Sequence, residues 1–226
     1  GSYGHDRKNV GLLVKSFLET FKNQKNQPAL ILKSSVGSCS YSSREELLKR
    51  VKTLRKTVNS TNLPNIYIMN GDLSDSEMNE LYNHPKVKAM VSFTKGEGYG
   101  RPLLEFSATG KPIIASGWSG QVDFLHPEKT FLIGGELESV HASAANKWIL
   151  KESQWFKPDH GIVGSILKDM YKNYKNYVVR GKQQGHHSRT NFSFIKMTEL
   201  LGTYLDKYVK VAAEVELQLP TLEKID

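Results

Sequence analysis

Two carboxylates lie in one glycine-rich segment, residues 95–105 (KGEGYGRPLLE), whose composition suits the binding of an anion. Glu97 lies between glycines, and Glu105 follows eight residues later. Glycines let backbone N–H groups approach a ligand closely, and a helix that begins after them presents its positive end to a phosphate. Carboxylates can accept hydrogen bonds from sugar hydroxyls. The segment therefore predicts a site for a diphosphate. Its carboxylates could also bind sugar hydroxyls.

The same segment departs from two common phosphate-binding fingerprints. Arg101 stands where the third glycine of G-x-G-x-x-G would lie, and the P-loop pattern does not occur. Pro102 fits the first position of a helix, where its missing N–H costs nothing. A structural interpretation of each carboxylate stays open. In that interpretation Glu105, in the first turn of the helix, compensates the helix dipole, and Glu97 is a solvated loop residue.

Other residues that could do chemistry form no recognisable site. The seven histidines lack metal-binding spacing and no D-x-D motif occurs, so we expect a reaction that needs no metal ion. Cys39 lies in a serine-rich loop without an activating partner and is expected to be unreactive. Trp118 follows a predicted strand, and either contact with a ligand or plain packing would explain it.

Composition excludes several classes of protein. The 226 residues are 38% hydrophobic and 24% charged, without the ~18-residue apolar run that a membrane-spanning helix needs. A single cysteine excludes a disulfide framework. We expect a soluble, cytoplasmic protein with no transmembrane segment. The net charge of +8 suits polyanionic partners such as nucleic acid or phosphorylated ligands, although the basic residues are scattered along helical faces.

Short apolar runs alternate with amphipathic helical patterns along the chain. The predicted strands are 29–32, 65–69, 89–93, 112–116 and 130–133. The predicted helices are 9–22, 44–58, 74–82, one that opens at Pro102, and a region from Ser143 to about Tyr208 with breaks near Pro158 and around 181–185. This alternation predicts an α/β fold: a Rossmann-like parallel sheet with helices on both faces and a helical C-terminus. Ligands bind at the carboxyl ends of such strands, where residues 95–105 lie.

The nine residues E-G-Y-G-R-P-L-L-E, 97–105, are similar to the E-x7-E motif of glycosyltransferase family 4. Its members are retaining enzymes that use nucleotide sugars and have two Rossmann-like domains, the GT-B fold. Further segments resemble family motifs in the family's order: the loop 5–9, the turn 70–75, the strand region 106–116 and residues 191–194. The resemblance covers about residues 5–208 and corresponds to the C-terminal, donor-binding half of the GT-B fold.

The resemblance implies roles for residues on the sugar side of the site. Glu97, one of two expected catalytic residues, would contact the donor sugar near the reaction centre, and Glu105 would bind the ribose hydroxyls. Three backbone amides are expected to bind sugar hydroxyls and phosphate: those of Gly98, Tyr99 and Gly100. The implied substrate is a UDP-, GDP- or ADP-sugar, with no cofactor and no metal.

On the phosphate side, the resemblance implies that Lys8 neutralises the diphosphate leaving group, which makes it the second expected catalytic residue. Arg7 or Arg101 is the expected helper in that task. The turn from Gly71 to Leu73 is expected to line the nucleotide base.

Two departures from the family pattern accompany these roles. The family usually has an arginine several residues before the lysine, whereas here the chain begins at Gly1 and Ser2. The family's "G-G-x-P" turn is replaced by residues 119–122 (SGQV), and Asp123 follows where the family often has glutamate. Because the resemblance covers the donor-binding half, it implies a fragment that lacks an N-terminal acceptor domain.

The sequence thus predicts three parts. Residues 1–190 form a nucleotide-sugar-binding domain, 191–209 a C-terminal helix that packs back on the missing N-terminal domain, and 210–226 a tail. The predicted function is transfer of a sugar from a nucleoside diphosphate to an acceptor hydroxyl of a saccharide or another molecule, with this donor-binding half inactive alone. Two alternatives stay open: a non-enzymatic basic α/β module that binds nucleic acid or a phosphorylated ligand, and a transferase whose acceptor is DNA.

Overall fold

The computed structural model describes residues 6–34, 39–146 and 149–210, in which strands and helices alternate. The strands are β1 (Leu30–Lys33), β2 (Ile66–Met69), β3 (Met90–Ser92), β4 (Ile113–Ser116), β5 (Phe131–Ile133), β6 (Gly135–Ser139) and β7 (Gln154–Pro158). The α-helices are α1 (Val10–Phe21), α2 (Tyr41–Lys56), α3 (Asp75–Asn83), α4 (Arg101–Ser107), α5 (His160–Lys172), α6 (Tyr174–Asn191) and α7 (Phe194–Tyr208). His5, the first residue of the loop 5–9, lies outside the described residues, as does the predicted tail from residue 211.

The strands that follow helices are parallel, as the alternation of elements predicted. β1 pairs with β2 in one ladder, and β3, β4 and β5 pair in that order in a second ladder. β6 and β7 form a separate antiparallel pair. Within each ladder the strands therefore end at the same edge, where the loops that follow them can share a site.

Apolar side chains cover both faces of the parallel strands. The neighbours Ile113 and Ile114 are both buried in β4, and they belong to two different apolar clusters. Since successive strand residues point to opposite faces, one cluster lies on each side of the sheet. On one side, the apolar stripe of α1 packs with α5 and the strands; its buried members are Leu13, Val14, Phe17, Leu18 and Phe21. On the other, α4 contributes Leu103 and Phe106.

The prediction of helix from residue 143 onward is wrong up to Pro158. Residues 154–158 form β7 instead, paired with β6. A salt bridge joins the two strands, with 3.2 Å between Lys157 Nζ and Glu136 Oε1, and Trp155 is buried. This pairing joins residues about twenty positions apart, so the local pattern of either strand alone does not reveal it.

The predicted break around residues 181–185 is also wrong, because α6 continues through both of its glycines. A Cβ atom on Gly181 would lie 2.7 Å from the carbonyl oxygen of Gly110, and one on Gly185 would lie 2.8 Å from the Gly110 Cα. The glycines therefore allow α6 to approach the turn after α4 at backbone distance. The helical region is interrupted instead at Asn173 and at residues 192–193.

Candidate functional site

The loop before α1 is fixed by one aspartate. Asp6 accepts a hydrogen bond from the backbone N–H of Gly11 at 2.8 Å through its carboxylate, and one from the N–H of Asn9 at 2.9 Å through its carbonyl. The carbonyl of Arg7 in turn accepts the backbone N–H of Lys95 at 2.9 Å. The loop is thereby held beside the carboxyl end of β3, although almost ninety residues separate the two segments.

An ion pair connects this loop with the glycine-rich segment. Lys8 Nζ lies 2.5 Å and 2.6 Å from the two carboxylate oxygens of Glu97, and the nearest guanidinium nitrogen of Arg7 lies 3.4 Å from that carboxylate. The same nitrogen donates to the carbonyl of Gly96. The Glu97 side chain is 11% exposed, whereas those of Lys8 and Arg7 are about half exposed. The carboxylate is thus buried beneath two cations that face solvent.

Three neighbours keep the Glu97 carboxyl ionised. Burial alone would raise its pKa, but hydrogen bonding and charge from Lys8, a hydrogen bond from Thr94 and the charge of Arg7 outweigh burial and lower the pKa below its ordinary value. The ammonium group of Lys8 has three N–H donors, and two of them can donate to the two carboxylate oxygens of Glu97. Lys8 can therefore bind a further anion from its exposed side without leaving Glu97.

A second loop supports the backbone of Glu97 from behind. The N–H of Glu97 donates to Ser119 Oγ at 3.1 Å, and that hydroxyl donates to the Glu97 carbonyl at 2.6 Å. The N–H of Gly120 also donates to this carbonyl, at 3.2 Å. A Cβ atom on Gly120 would lie 2.7 Å from the Tyr99 Cα, so only glycine fits there. Sequence reasoning compared this turn with a family turn but assigned Ser119 no role.

The other end of the motif lies in a different setting. α4 begins at Arg101, because Gly100 adopts φ 91° and acts as the N-cap. Pro102 is therefore the second helical residue, and the prediction that Glu105 lies in the first turn is wrong. Glu105 Oε1 lies 2.9 Å from Arg101 Nε, and the two side chains are 42% and 79% exposed. Dipole compensation is thus a weaker explanation of Glu105 than its sequence position implied.

The predicted base-binding turn follows β2. Gly71 adopts φ 150°, and its carbonyl accepts a hydrogen bond from Lys33 Nζ at 2.5 Å. The Cys39 thiol donates to the Asp72 carboxylate at 3.3 Å, which raises the pKa of that thiol and agrees with an unreactive cysteine. Leu73 is half-buried. Within the described part of the chain, no hydrogen bond or ion pair joins this turn to the glutamates of the motif.

The predicted site residues therefore fall into three groups near strand ends. One group is joined by direct contacts: Arg7, Lys8 and Glu97. A second is the Arg101–Glu105 pair on α4, and a third is the Gly71–Leu73 turn. Gly98 and Tyr99 are exposed between the first two groups, and Gly100 is buried.

Aromatic contacts settle part of the question about Trp118. Its ring is parallel to that of Phe156 with 6.0 Å between centroids, yet the residue remains 41% exposed. Trp118 therefore packs on β7 and presents indole surface to solvent beside Ser119. Among the residues that the model describes, no group of three or more His, Cys, Asp or Glu side chains is placed to hold a metal ion, and no helix is long and apolar enough to span a membrane.

Comparison with solved structures shows the fold. HepE from Anabaena, in complex with UDP and glucose, is 12% identical with a TM-score of 0.60, over 89% of this chain and 45% of that protein. Sucrose-phosphate synthase from Thermosynechococcus elongatus is 16% identical with a TM-score of 0.59, over 89% of this chain and 42% of that one. The chain thus spans just under half the length of both. A search of curated protein sequences found no match.

One comparison concerns a single domain. The C-terminal domain of the group 1 glycosyl transferase LpcC from Francisella tularensis is 14% identical with a TM-score of 0.57, over 84% of this chain and 82% of that domain. These likenesses confirm the Rossmann-like α/β fold of a GT-B domain. The sequence profile described as "Glycosyl transferases group 1" matches residues 5–159, more than half of the chain. The chain therefore belongs to the glycosyl transferases group 1 family.

Proposed function

We propose that this chain is the donor-binding half of a retaining glycosyltransferase, which moves a sugar from a nucleoside diphosphate to an acceptor hydroxyl. The observation that carries the proposal is the buried Glu97 carboxylate beneath Lys8 and Arg7. In this proposal the carboxylate binds sugar hydroxyls, and the adjacent cations bind the diphosphate. The family assignment supports sugar transfer as the reaction class.

The cations would act on the leaving group. When the bond between the sugar and the diphosphate breaks, negative charge grows on the phosphate oxygens, and prearranged cations stabilise that charge more than they stabilise the substrate. Lys8 keeps an exposed side while bound to Glu97, and Arg7 is 46% exposed beside it. The Arg101 side chain is 79% exposed, and we propose that it changes rotamer to bind the same phosphates. Backbone amides of the exposed Gly98 and of its neighbours would complete the anion site.

The neutral parts of the donor would contact the remaining residues. Glu97 would bind the donor sugar beside the reaction centre, on the same face as the leaving group. Glu105 would exchange its partner Arg101 for the ribose hydroxyls, and the turn from Gly71 to Leu73 would line the base. UDP is the first nucleotide to test, because HepE of Anabaena was solved with UDP and with UDP-glucose. GDP- and ADP-sugars are the other candidates.

The acceptor would bind to a second domain, against which we propose that α7 packs. None of the residues of α7 is buried, and its large apolar residues are exposed. They are Phe194, Ile195, Met197, Leu200, Leu201, Tyr204, Leu205 and Tyr208. An exposed apolar surface of this size usually marks an interface. This chain spans just under half of HepE and of sucrose-phosphate synthase, which supports a further domain as the partner.

Calorimetry tests the proposal on the chain as it stands. We expect UDP and UDP-glucose to bind and uridine to bind much more weakly, because the cations recognise phosphate. Each titration should be repeated with GDP- and ADP-sugars, and in the presence of a chelator, which we expect to change nothing. Absence of binding by every nucleotide sugar would overturn the proposal.

One observation favours a second candidate function, the binding of nucleic acid. Lys49, Lys52 and Lys56 lie on one face of α2, around a shallow cavity of about 300 Å³. Salt dependence separates the two functions. If these lysines contact phosphates, the affinity for duplex DNA should fall with a log–log slope of roughly −0.9 per phosphate contacted and flatten in a variant with all three changed to Gln. Binding of UDP to a partly buried site should respond only modestly to salt.

A further inference from the structure

The turn that supports Glu97 has a strained backbone at a residue with a side chain. Ser119 adopts φ 72° and ψ −163°, a region that glycine enters freely and other residues rarely enter. This chain therefore carries serine at a position where the backbone favours glycine. A residue that keeps such a conformation must be held by its surroundings.

The Ser119 hydroxyl holds both polar groups of one peptide residue. It accepts the Glu97 N–H at 3.1 Å and donates to the Glu97 carbonyl at 2.6 Å. The carbonyl also receives the Gly120 N–H at 3.2 Å. Glu97 therefore cannot rotate its backbone without breaking hydrogen bonds to this turn. A glycine at position 119 would relax the turn but could not supply the hydroxyl.

The base of the turn is fixed too. Gln121 is fully buried, and its amide nitrogen donates to the Ser116 carbonyl at 2.9 Å. Gly120 lies in backbone contact with the Tyr99 segment, where no Cβ atom fits. The turn therefore holds the Ser119 hydroxyl rigidly. The backbone is strained at this residue because the hydroxyl is held where it can bond to Glu97.

We propose that Ser119 is a positioning residue, whose hydroxyl fixes the backbone of Glu97 so that its carboxylate meets Lys8 and, if the proposed function holds, the donor sugar. The backbone strain and the hydroxyl act in opposite directions. Removing the strain should stabilise the fold, while removing the hydroxyl should loosen Glu97. A residue that served folding alone would not separate these two effects.

Three substitutions separate strain from hydroxyl. Ser119→Gly removes both, Ser119→Ala keeps the strain without the hydroxyl, and Ser119→Thr keeps the hydroxyl on a strained backbone. Ser165→Ala, which removes an exposed α5 hydroxyl bonded to the Ile162 carbonyl at 2.7 Å, is the matched control. In each variant the carboxyl titration of Glu97 is followed by NMR, with Glu97→Gln to assign the signal, and melting temperature is measured alongside.

We expect the Glu97 pKa to rise toward its ordinary value in the Gly and Ala variants and to stay low in the Thr variant and in the control. The titration involves Lys8, Arg7 and Thr94, the groups that face this carboxyl. The Gly variant should melt above the Ala variant, since it alone relaxes the turn. If Ser119→Thr does not fold, the Gly and Ala variants decide. A Glu97 pKa that stays low in both would overturn the proposal.

A second measurement tests whether the contact between Ser119 and Glu97 affects ligand binding. UDP-glucose affinity relative to UDP should fall by several-fold in the Gly and Ala variants, since the sugar loses a fixed partner while the phosphates keep theirs. An unchanged ratio, in protein that binds both ligands, would count against Ser119. If the wild type binds neither ligand, the proposed function fails, and the titration of Glu97 in the ligand-free protein still decides the role of Ser119.

Discussion

The loop that carries Glu97 and the helix that carries Glu105 differ in how they hold their carboxylates before any ligand arrives. Glu97 is 11% exposed, bound by Lys8 on its side chain and by Ser119 on its backbone. The Glu105 side chain is 42% exposed and pairs with Arg101, one helical turn away. Exposed pairs of this kind contribute a few tenths of a kcal/mol. The two ends of one motif are therefore fixed to very different degrees.

Under the proposed function, this difference predicts which carboxylate needs the least rearrangement during the reaction. A rigid, partly desolvated carboxylate beside cations needs little rearrangement when charge develops nearby. An exposed carboxylate on a helix can exchange partners at small cost, which suits a residue that must release its ligand after each turnover. We infer that Glu97 acts on the reacting sugar and Glu105 on the affinity for the nucleotide.

The strongest test of this division concerns the cation above Glu97. Lys8→Ala should weaken UDP binding by about 10- to 150-fold, the equivalent of about 1.5–3 kcal/mol for a charge-assisted contact. Uridine binding should barely change. Calorimetry checks both, with Lys15→Ala, an exposed lysine on α1, the helix that follows the loop of Lys8, as the matched control. Equal losses for UDP and uridine would show that Lys8 acts through folding.

Glu97→Gln addresses the reacting sugar. We expect kcat, measured with the acceptor-binding half of the protein present, to fall roughly ten-fold or more, because an interaction that strengthens in the transition state is lost. UDP affinity should change little. Glu138→Gln, which weakens the more exposed pair with Lys95, controls for the loss of a carboxylate. A variant with normal kcat would contradict the role of Glu97 in the reaction.

Glu105→Gln should have a smaller effect, on affinity alone. We expect UDP to bind a few-fold more weakly, since two ribose hydroxyls lose a charged acceptor, about 1 kcal/mol. Glu46→Gln removes the acidic member of a comparable Arg–Glu pair on α2 and should leave binding unchanged. If Glu105→Gln lowers only the melting temperature and not the affinity, the glutamate has a structural role.

The smallest expected effect is a dependence of stability on pH. The pKa of Glu97 is lowered in the folded state, so this carboxyl stabilises the fold above its ordinary pKa, and that stabilisation is lost as pH falls through the folded pKa. The melting temperatures of wild type and Glu97→Gln should therefore converge in acid, by about 2–4 °C for each kcal/mol lost. A difference that does not depend on pH would mean that the ionised carboxylate contributes nothing to stability.

Local patterns in the sequence predict much of the fold. The apolar runs mark all five parallel strands, and the helix predicted from residue 74 has a Ser74–Glu77 capping box at its start. The β6–β7 hairpin was missed, because its stability comes from pairing between distant segments. The glycines of α6 were taken for a break, because the reason for them is the distant Gly110 turn. Both errors concern contacts that no local window contains.

The candidate site divides in the same way. Glu97 and Glu105 stand out because their spacing matches a motif, and Lys8 was found through the resemblance. That Lys8 contacts Glu97 across 89 positions follows only from the fold. Ser119 was overlooked because its importance lies in one backbone angle and two hydrogen bonds to another loop. The start of α4 at Arg101 depends on the conformation of Gly100, which composition alone does not specify.

The close approach of α6 to the turn after α4 also bears on how donor preference can be altered. Ser188 on α6 hydrogen-bonds Ser107 at the end of α4, with 2.7 Å between the hydroxyl oxygens, and Arg189 donates to the carbonyl of Ala108. The direction of α4, and with it the position of Glu105, is therefore fixed by contacts with α6. Substitutions on α4 can change the side chains that it presents to a ligand. A change in the direction of that helix would require paired substitutions on α6. Under the proposed function, variants selected for a new donor should accordingly accumulate second mutations at the buried contact between α4 and α6.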